Sequence, residues 1–446
     1  MADDPTGEVT ELLQQLIRNG CVNDGTAGSG QEVRNADLLT NYLEGQGLEL
    51  ERFEPVPGRT SVLARLEGRD RDAPTLLLMG HTDVVPASPD GWERDPFAAE
   101  LVDGEVWGRG AVDMLNLTAS MAVALRRLAD QRFRPRGTLA YLAVADEEAL
   151  GHHGAGWLTD HARDAVAADY VITESGGIPM PSGQGGLRLP VIVGEKGTYW
   201  CRLLVRGTPG HASQPLRTDN ALVKAAEVVR RVAGYRAPAV LHDVWRRFIA
   251  EMGFPEEWSA PLLDPDAIDR FCEELPLVGL ARQAHACTHL TIAPTIMQAG
   301  VKTNVIPDHA EIQLDIRTLP GQTGTEVRAV LEELLGDLSE DVEIVADSDD
   351  ASTASPVETP LWDVLEKLCR SVYPDSALVP FMTVGATDAR FFRRLGVPAY
   401  GFGLFSRRMS FDQYNAMFHG DNERVDVESL RLSTDLWEAL ARDLLV

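Results

Sequence analysis

The sequence predicts an α/β protein in which a mostly parallel sheet is interrupted by an inserted ferredoxin-like α+β module. In the first part of the chain, short apolar runs alternate with amphipathic helical patterns, which is typical of parallel βαβ units. From about Lys196 the order becomes β-α-β-β-α-β, the order of a ferredoxin-like module. With 446 residues, the chain is also longer than one hydrophobic core usually supports, so two domains are expected.

The elements of the parallel sheet begin near the N-terminus. We predict helices over residues 8–18, 35–47, 114–129 and 153–166, and strands over residues 62–66, 75–80, 138–144 and 170–172. The run Leu76–Met79 is entirely apolar, as expected for a strand buried on both faces. Residues 91–97 are rich in turn formers, and residues 179–190 contain three glycines with a proline at both ends, so we interpret both segments as loops.

Residues 196–349 form the predicted inserted domain. Its expected strands are 199–205, 288–298, 309–317 and 342–345, and its expected helices are 217–234 and 323–337. A long acidic insertion, about 236–286, lies between its first helix and second strand and enlarges it. Residues 347–356 are predicted as the linker back, followed by a helix at 358–372 and a buried strand at 399–403. The first domain therefore comprises residues 1–195 and 350–446.

The composition excludes several classes of protein. A formal net charge of −27 argues against a nucleic-acid partner, and no apolar run approaches the roughly 18 residues that span a bilayer. The acidic start Met1–Pro5 lacks the features of a secretory signal. The five cysteines are scattered and odd in number, which argues against a disulfide framework or a cysteine zinc site. We expect a cytoplasmic protein that binds no membrane.

A histidine follows the most apolar strand of the predicted sheet. His81 comes directly after Gly80, and Asp83 lies two residues further on. In open α/β sheets the reactive groups lie just past the carboxyl ends of the strands. A His-x-Asp sequence at this point suits a zinc ligand followed by a carboxylate that orients it.

Carboxylates and a second histidine follow other strand-like or turn segments. Taken singly, an acidic residue before a helix is commonly an N-cap or a partner of the helix dipole and needs no metal. Together, two histidines and three carboxylates, one of them bridging, can hold two zinc ions about 3.5–4 Å apart. The set comprises Asp113, Glu148, Glu174 and His419 in addition to His81, and the adjacent Glu147 would stay off the metals as a general base.

Eight motifs, in order along the chain, resemble those of one enzyme family. They are Gly80–Pro86, Gly108–Met114, Asp146–Glu148, Gly207–His211, Asn304–Pro307, Asp315–Arg317, Thr387–Arg390 and His419–Glu423. The family is the co-catalytic zinc metallopeptidase family M20, which contains aminoacylases, glutamate carboxypeptidases and succinyl-diaminopimelate desuccinylase. The resemblance implies two Zn²⁺ per subunit, for which Co²⁺ or Mn²⁺ can substitute. It implies that the five residues above bind them, with Asp113 bridging, Asp83 orienting His81 and a cis peptide following Asp113.

The resemblance also implies roles for the inserted domain as a lid and as the surface of a homodimer. His211 would reach the partner subunit's active site and polarise the scissile carbonyl. The substrate carboxylate would be bound by Asn304, Arg317 and Arg390. Two motifs depart from the family pattern. The family's usual Asp-Met-Lys-Gly appears here with Leu115 in place of the lysine and Asn116 in place of the glycine. The family's usual Gly-Gly-Thr-Asp appears here with Ala386 in place of the second glycine.

These observations lead to the hypothesis of a di-zinc amidohydrolase that cleaves peptides or N-acyl amino acids bearing a free carboxylate. Three alternatives remain open. A di-zinc aminopeptidase would share the ligands but recognise a free amine, so N-blocked and N-free substrates separate the two. A tailoring hydrolase of a specialised metabolite would keep the chemistry and ignore ordinary acyl-amino acids. A non-catalytic, ligand-binding relative would be expected to have lost a ligand or the base.

Overall fold

The computed structural model describes residues 4–45 and 47–446. Two of the sequence predictions fall partly outside the described residues. They are the acidic start of the chain, at residues 1–3, and the last part of the helix predicted at 35–47, at residue 46.

The N-terminal part of the chain builds most of a large sheet. Its elements are α1 (Thr6–Asn19), α2 (Val33–Leu43), β1 (Glu49–Val56), β2 (Arg59–Leu66), β3 (Thr75–His81), β4 (Glu100–Val102), β5 (Glu105–Trp107), α3 (Leu115–Asp130), β6 (Thr138–Val144), α4 (Ala155–His161), β7 (Tyr170–Thr173), β8 (Met180–Pro181) and β9 (Leu187–Glu195). Helix α1 forms because its apolar residues recur at helical spacing and bury one stripe, and it ends at Gly20 in the left-handed conformation.

The middle of the chain builds a second sheet. Its elements are β10 (Gly197–Arg206), β11 (Gly210–His211), α5 (Ala221–Gly234), α6 (Asp243–Met252), α7 (Glu256–Leu262), α8 (Ile268–Glu274), α9 (Val278–Thr288), β12 (Thr291–Ala299), β13 (Val305–Ile306), β14 (His309–Thr318), α10 (Gly324–Leu335) and β15 (Val342–Asp350).

The C-terminal part returns to the large sheet. Its elements are β16 (Thr353–Ala354), α11 (Pro360–Val372), β17 (Ser376–Thr383), α12 (Ala389–Arg394), β18 (Ala399–Gly401), α13 (Phe411–Met417), β19 (Arg424–Asp426) and α14 (Val427–Leu444). Three short 3₁₀ helices lie at Pro89–Gly91, Glu147–Ala149 and Gly336–Asp341.

The large sheet has the order β1-β2-β6-β3-β7-β18-β9-β16, and β17 and β8 also pair with β9. Its central strands β6, β3, β7 and β18 are parallel, which confirms the predicted α/β class with a largely parallel sheet. Along β3, Leu76 and Leu78 pack into one core with α1, α3 and α14, whereas Leu77 and Met79 pack into another with α4 and α12. The apolar run is therefore explained by burial on both faces.

The second sheet has four antiparallel strands in the order β12-β14-β10-β15. This is the order expected of a β-α-β-β-α-β module, and its own core joins β10 and β14 to helices α5 and α10. The change from one sheet to the other falls between Glu195 and Gly197 and again between Asp350 and Thr353.

The acidic insertion does not pack as an extension of the four-stranded unit. Trp245, Phe248 and Ile249 of α6 pack instead against the large sheet, in a core that includes Ile192 of β9 and Phe381 of β17. The expectation that this segment enlarges the lid is therefore corrected. The apolar face of α6 covers strands of the large sheet, because α6 buries a continuous apolar stripe.

The two loops predicted at 179–190 and 347–356 also contain strands. Residues from Leu187 onward form β9 because they pair in parallel with β17, a contact between distant parts of the chain. Strand β15 continues to Asp350, and β16 pairs with the end of β9. The Asp113–Met114 peptide is cis, as expected. Among the described residues, none of the helices is both long enough and apolar enough to cross a membrane.

Candidate metal centre

His81 is the last residue of β3 and lies at the carboxyl edge of the parallel strands. Its side chain is buried, and its Nδ1 atom lies 2.9 Å from the backbone carbonyl oxygen of Asp83. The nearer Asp83 carboxylate oxygen is 3.7 Å from the same nitrogen. The short contact that orients the ring is thus made by the backbone of Asp83 and not by its carboxylate. This leaves Nε2 facing the other predicted ligands.

Asp113 lies in the turn between β5 and α3, and its carboxylate contacts both histidines. Its Oδ1 atom is 3.2 Å from Nε2 of His81, and its Oδ2 atom is 2.9 Å from Nε2 of His419. His419 follows α13 in the left-handed conformation, with φ of 56°. Because the two oxygens face different histidines, the carboxylate has the geometry of a bridging ligand.

Two further carboxylates complete two overlapping groups. Glu174 follows β7, and its Oε2 atom is 3.8 Å from Nε2 of His81. Glu148 follows β6, and its Oε2 atom is 3.2 Å from Nε2 of His419. The groups are His81–Asp113–Glu174 and Asp113–Glu148–His419, and within each group the ligand atoms lie within 4.8 Å of one another. The structure therefore brings together all five residues predicted as metal ligands.

The electrostatics of this cluster fit two divalent cations. Burial raises the pKa of Glu148 and of Glu174, and the nearby Asp113 charge raises both further. Hydrogen bonds with Asp113 and Glu148 raise the pKa of His419 to about 10. Oε1 of Glu148 is buried and has no hydrogen-bond partner among the described residues. Closely spaced carboxylates and imidazole nitrogens are ligands that bind zinc, cobalt and manganese, and the positive charge of the ions would offset the repulsion between the carboxylates.

Glu147 lies beside this cluster but belongs to neither group of ligands. Its Oε2 atom is 4.0 Å from Nε2 of His81, and its side chain is one-tenth exposed. Burial and the charge of Glu174 raise the pKa of Glu147 well above its usual value. A raised pKa makes the carboxylate a stronger proton acceptor, which suits a general base.

Glu423 is a buried residue that our sequence prediction missed. Its two carboxylate oxygens accept hydrogen bonds from the backbone N–H groups of Gly110, Val112 and Asp113, and from the guanidinium of Arg109. These bonds hold the turn that carries the shared carboxylate. The sequence motif His419–Glu423 could have identified this residue, since a carboxylate close in sequence to a metal ligand is a candidate for holding the ligands in place by hydrogen bonds.

Two other buried carboxylates, Asp83 and Asp388, differ in their contacts. Oδ2 of Asp83 accepts hydrogen bonds from Nδ2 of Asn23, at 2.8 Å, and from the backbone N–H of Glu148, at 3.1 Å. Asp83 therefore holds the turn that carries Glu148. Asp388 is buried next to Gly151, and neither of its oxygens has a hydrogen-bond partner among the described residues. Neither Asn23 nor Asp388 had been singled out as a site residue in the sequence.

His211 and Asn304 lie together on the surface of the four-stranded unit. Strands β11 and β13 pair, and the backbone carbonyl oxygen of Asn304 accepts a hydrogen bond from Ala212. Both side chains are exposed, and Nδ1 of His211 is 2.7 Å from Oγ of Ser213. Among the described residues, no hydrogen bond or ion pair joins His211 to the five ligands of its own chain, whereas its strand pairs with the strand that follows Asn304.

The two predicted carboxylate-binding arginines have different surroundings. Arg317 is half-buried and donates to both carboxylate oxygens of Asp315 and to Oγ1 of Thr198. Arg390 is buried, and its guanidinium donates to the backbone carbonyl oxygens of Thr387 and Leu150. The Nε atom of Arg390 also lies 3.7 Å from a carboxylate oxygen of Asp350.

Comparison with known proteins identifies a family and several relatives that this chain resembles. The model of the family described as Peptidase family M20/M25/M40 matches residues 77–443. The N-fatty-acyl-amino acid synthase/hydrolase of Xenopus tropicalis is 29% identical, over 98% of this chain and 88% of its own length. The succinyl-diaminopimelate desuccinylase of Caulobacter vibrioides is 27% identical, over 97% of this chain and 95% of its own.

Solved structures share the fold. An M20 family metallo-carboxypeptidase from Sulfolobus solfataricus superposes with a TM-score of 0.75 at 20% identity, covering 99% of both chains. A dinuclear metal-binding peptidase of the M20 family from Bacillus subtilis has a TM-score of 0.60 at 16% identity, covering 98% of this chain and 99% of its own.

Proposed function

Because the chain belongs to peptidase family M20/M25/M40, a family of metal-dependent hydrolases of amide bonds, we propose that it is a di-zinc amidohydrolase. Its substrates would be peptides or N-acyl amino acids with a free carboxylate. The observation that carries the proposal is the pair of ligand groups that share Asp113. A carboxylate shared between two groups would let each group hold one ion, as in two-metal hydrolases.

Each residue of the site has a proposed task. When bound, the two ions would supply Lewis acidity and make water a better nucleophile at neutral pH. The Glu147 carboxylate takes a proton from the attacking water and later delivers it to the nitrogen of the leaving amine. Asp83 and Glu423 keep the ligands in place through the hydrogen bonds described above. His211 would donate to the carbonyl oxygen as negative charge develops there.

The relatives favour a substrate with an acylated amine. By their names, one acts on N-fatty-acyl amino acids and the other on succinyl-diaminopimelate, and both compounds carry an acyl group on an amino acid. Arg317 and Asn304 are proposed to bind the substrate carboxylate, since a guanidinium presents paired donors that match it. Arg390 is better suited to hold the Leu150 carbonyl group, because its Nη atoms already face two carbonyl oxygens.

We further propose a homodimer formed through the four-stranded unit, which would act as the lid. Strand β12 is an edge strand, and its Ile296 and Met297 side chains are exposed. On α5, Leu222 and Val223 are also exposed. An exposed apolar edge strand is a surface that pairs readily with another strand. A cytoplasmic location is proposed because all five cysteines are free thiols.

The test is a hydrolysis screen of metal-free and reconstituted protein against N-acyl amino acids, dipeptides and their N-free counterparts. Chelation should abolish hydrolysis, and zinc, cobalt or manganese should restore it on N-acylated substrates with a free carboxylate. The Glu147→Ala variant serves as the control, because it should keep both metal ions while turnover falls by roughly 10²-fold or more. Full activity without metal, or preference for free amines, would contradict the proposal.

A further inference from the structure

A buried ion pair adjoins the turn that carries Glu147 and Glu148. Nη1 of Arg59, the first residue of β2, lies 2.6 Å from Oε1 of Glu32, the residue directly before α2. Glu32 is fully buried, and Arg59 is 4% exposed. Neither residue was predicted as a site residue from the sequence. Because burying two charges costs free energy, a buried pair beside the site is a candidate for a positioning role.

The first connection runs from Arg59 through Glu32 to the residue before Glu147. Oε1 of Glu32 accepts a hydrogen bond from the backbone N–H of Asp146, at 3.2 Å, as well as from Arg59. The Oδ1 atom of Asp146 lies 3.6 Å from Nη1 of Arg59. Asp146 adopts the left-handed conformation, with φ of 71°, which is uncommon for a residue with a side chain and must be held by surrounding contacts. The Glu32 carboxylate supplies one of these contacts.

The second connection runs from the same guanidinium to the residue after Glu147. Nη2 of Arg59 donates to Oδ1 of Asn23, at 3.0 Å, and Nδ2 of Asn23 donates to Oδ2 of Asp83, at 2.8 Å. That carboxylate oxygen also accepts a hydrogen bond from the backbone N–H of Glu148, at 3.1 Å. The N–H groups on both sides of the proposed general base are therefore held by carboxylates that are connected to one guanidinium.

The loop between α1 and α2 leaves room for this guanidinium at a glycine. Gly30 has φ of 78°, a conformation that glycine adopts without strain. A Cβ atom there would lie 2.6 Å from Oε2 of Glu32 and would collide with Nη1 of Arg59. Gly28 lies in the same loop, and a Cβ atom added there meets nothing within 4 Å. The ion pair therefore requires the absence of a side chain at position 30 but not at position 28.

We propose that Arg59 and Glu32 are positioning residues, which fix the Glu147 carboxylate by holding the backbone N–H groups on both sides of it. This inference rests on the proposed function, in which Glu147 is the general base. A general base must lie within hydrogen-bond reach of the proton that it takes, so a small shift of the turn lowers turnover. Arg59 suits this task because a planar guanidinium donates to two acceptors in a fixed geometry. The pair acts through the turn, so it should affect turnover and leave substrate binding unchanged.

The first experiment measures kcat and KM on an N-acyl amino acid, with kcat calculated per metal-loaded site. Arg59→Met should lower kcat by roughly 10–100-fold, the scale for residues that orient catalytic groups through hydrogen bonds, and should leave KM unchanged. Arg59→Lys keeps the buried charge but lacks the planar fork, so it should lower kcat less. Arg65→Met is the matched control and should keep full turnover, because Arg65 lies near the other end of β2 and forms its own ion pair with Glu51, at 2.6 Å.

The second experiment needs neither metal nor substrate. Hydrogen–deuterium exchange of the metal-free protein, measured by mass spectrometry on overlapping peptides within 144–151, reports on the N–H groups of Asp146 and Glu148. In Arg59→Met these groups should exchange roughly tenfold faster, as expected when a hydrogen bond to a charged group is lost, whereas the control variant should match the unmodified chain. Asn23→Ala should speed exchange at Glu148 and should add little in the Arg59→Met background, because both changes break the same connection.

The possible results separate this inference from the proposed function. If the unmodified protein hydrolyses no N-acyl amino acid with any metal, the proposed function fails, and the exchange measurement still decides whether Arg59 holds the turn. Unchanged kcat or unchanged exchange in Arg59→Met would overturn the inference, as would a loss confined to KM. If Arg59→Met does not fold, Arg59→Lys and Gly30→Ala decide, because both retain the two charges. Gly30→Ala should lower kcat by displacing the pair, whereas Gly28→Ala should not.

Discussion

At the scale of single residues, the position of Asp113 depends on a buried carboxylate that never touches the proposed metals. Glu423 accepts hydrogen bonds from three backbone N–H groups and one guanidinium, and one of those N–H groups belongs to Asp113 itself. Four donors converge on two oxygens, so every oxygen is used. Any side chain with one oxygen fewer must leave buried donors unsatisfied, and each such donor costs about 1–3 kcal/mol.

Glu423→Gln should weaken metal binding by roughly 10–100-fold, the scale seen when a supporting partner of a ligand is changed. The amide nitrogen would face N–H groups where a carboxylate oxygen now accepts, so the Asp113 turn would shift. The measurement is zinc affinity by competition with a chelating dye. Exposed Glu428→Gln is the control, and unchanged affinity in Glu423→Gln would show that the turn holds Asp113 without this carboxylate.

Asp388 gives the site a pH-dependent contribution to stability. Burial raises the pKa of Asp388 to about 7, and the charge of Arg390 only partly opposes this. In the unfolded chain the group loses its proton near pH 4, whereas in the folded chain it keeps the proton up to about pH 7. Folding therefore takes up a proton between these values, and the stability contributed by Asp388 falls as the pH rises through this window.

Asp388→Asn should remove this pH dependence. In metal-free protein, the unfolding free energy should fall less between pH 4 and pH 8 for the variant than for the unmodified chain, by up to about 4 kcal/mol at 1.36 kcal/mol per pKa unit. Urea unfolding at a series of pH values measures it. Exposed Asp412→Asn should follow the unmodified chain, and parallel curves for all three proteins would refute the assignment.

At the scale of elements, the site is a product of strand ends that meet at one edge. Strands β3, β6 and β7 are neighbours, so His81, Glu148 and Glu174 come together although they are far apart in sequence. Strand β18 pairs with β7 and ends at Gly401. A Cβ atom at Gly401 would lie 2.1 Å from the backbone carbonyl oxygen of Glu174, so the absence of a side chain there is required for Glu174 to be placed.

Gly401→Ala should therefore displace Glu174 and destabilise the sheet. We expect a loss of about 1–3 kcal/mol in unfolding free energy, typical of overpacking, and weaker binding at the group containing His81. Thermal unfolding and zinc titration measure the two effects. Gly279→Ala, where an added Cβ meets nothing within 4 Å, is the control and should change neither. Normal zinc binding by Gly401→Ala would show that the edge of the sheet adapts.

The strand ends explain why much of the site could be predicted from the sequence. His81 and Glu174 follow short apolar runs, and such runs identify buried strands without knowledge of their partners. Strand β17 was missed because Pro380 in its centre disfavours a strand, and only its parallel pairing with β9 makes the segment extended. The prediction that the segment containing α6 enlarges the inserted domain was wrong. An apolar helix face can be recognised in the sequence, but the distant surface that it contacts cannot.

At the scale of the whole molecule, the four-stranded unit carries exposed polar side chains that, among the described residues, form no hydrogen bond or ion pair with the five ligands of their own chain. His211 is exposed and is held by Ser213, and Asn304 lies beside it. The same unit carries the exposed apolar residues of β12 and α5. Exposure of these side chains is what the proposed dimer requires, since a second subunit would have to receive them in its own site. The site would then be complete only in a dimer.

Two inactive variants should complement each other if His211 acts in trans. Glu147→Ala and His211→Ala homodimers should each be nearly inactive, whereas mixed dimers contain one site with both residues intact. Activity should therefore reappear after the two proteins are dissociated, mixed and allowed to reassociate. Mixed dimers purified through two different affinity tags provide the measurement. Their failure to hydrolyse substrate would place His211 outside the partner's site.

The spread of the metal ligands along the chain has a consequence for biosynthesis. His419 is made 245 residues after Glu174, because the whole four-stranded unit lies between them in sequence. A ribosome-bound chain that has completed the first four ligands exposes a cluster of carboxylates without its second histidine. We therefore expect the proposed pair of ions to be retained only after His419 has been made, and a chain terminated before His419 to be unable to hold both ions.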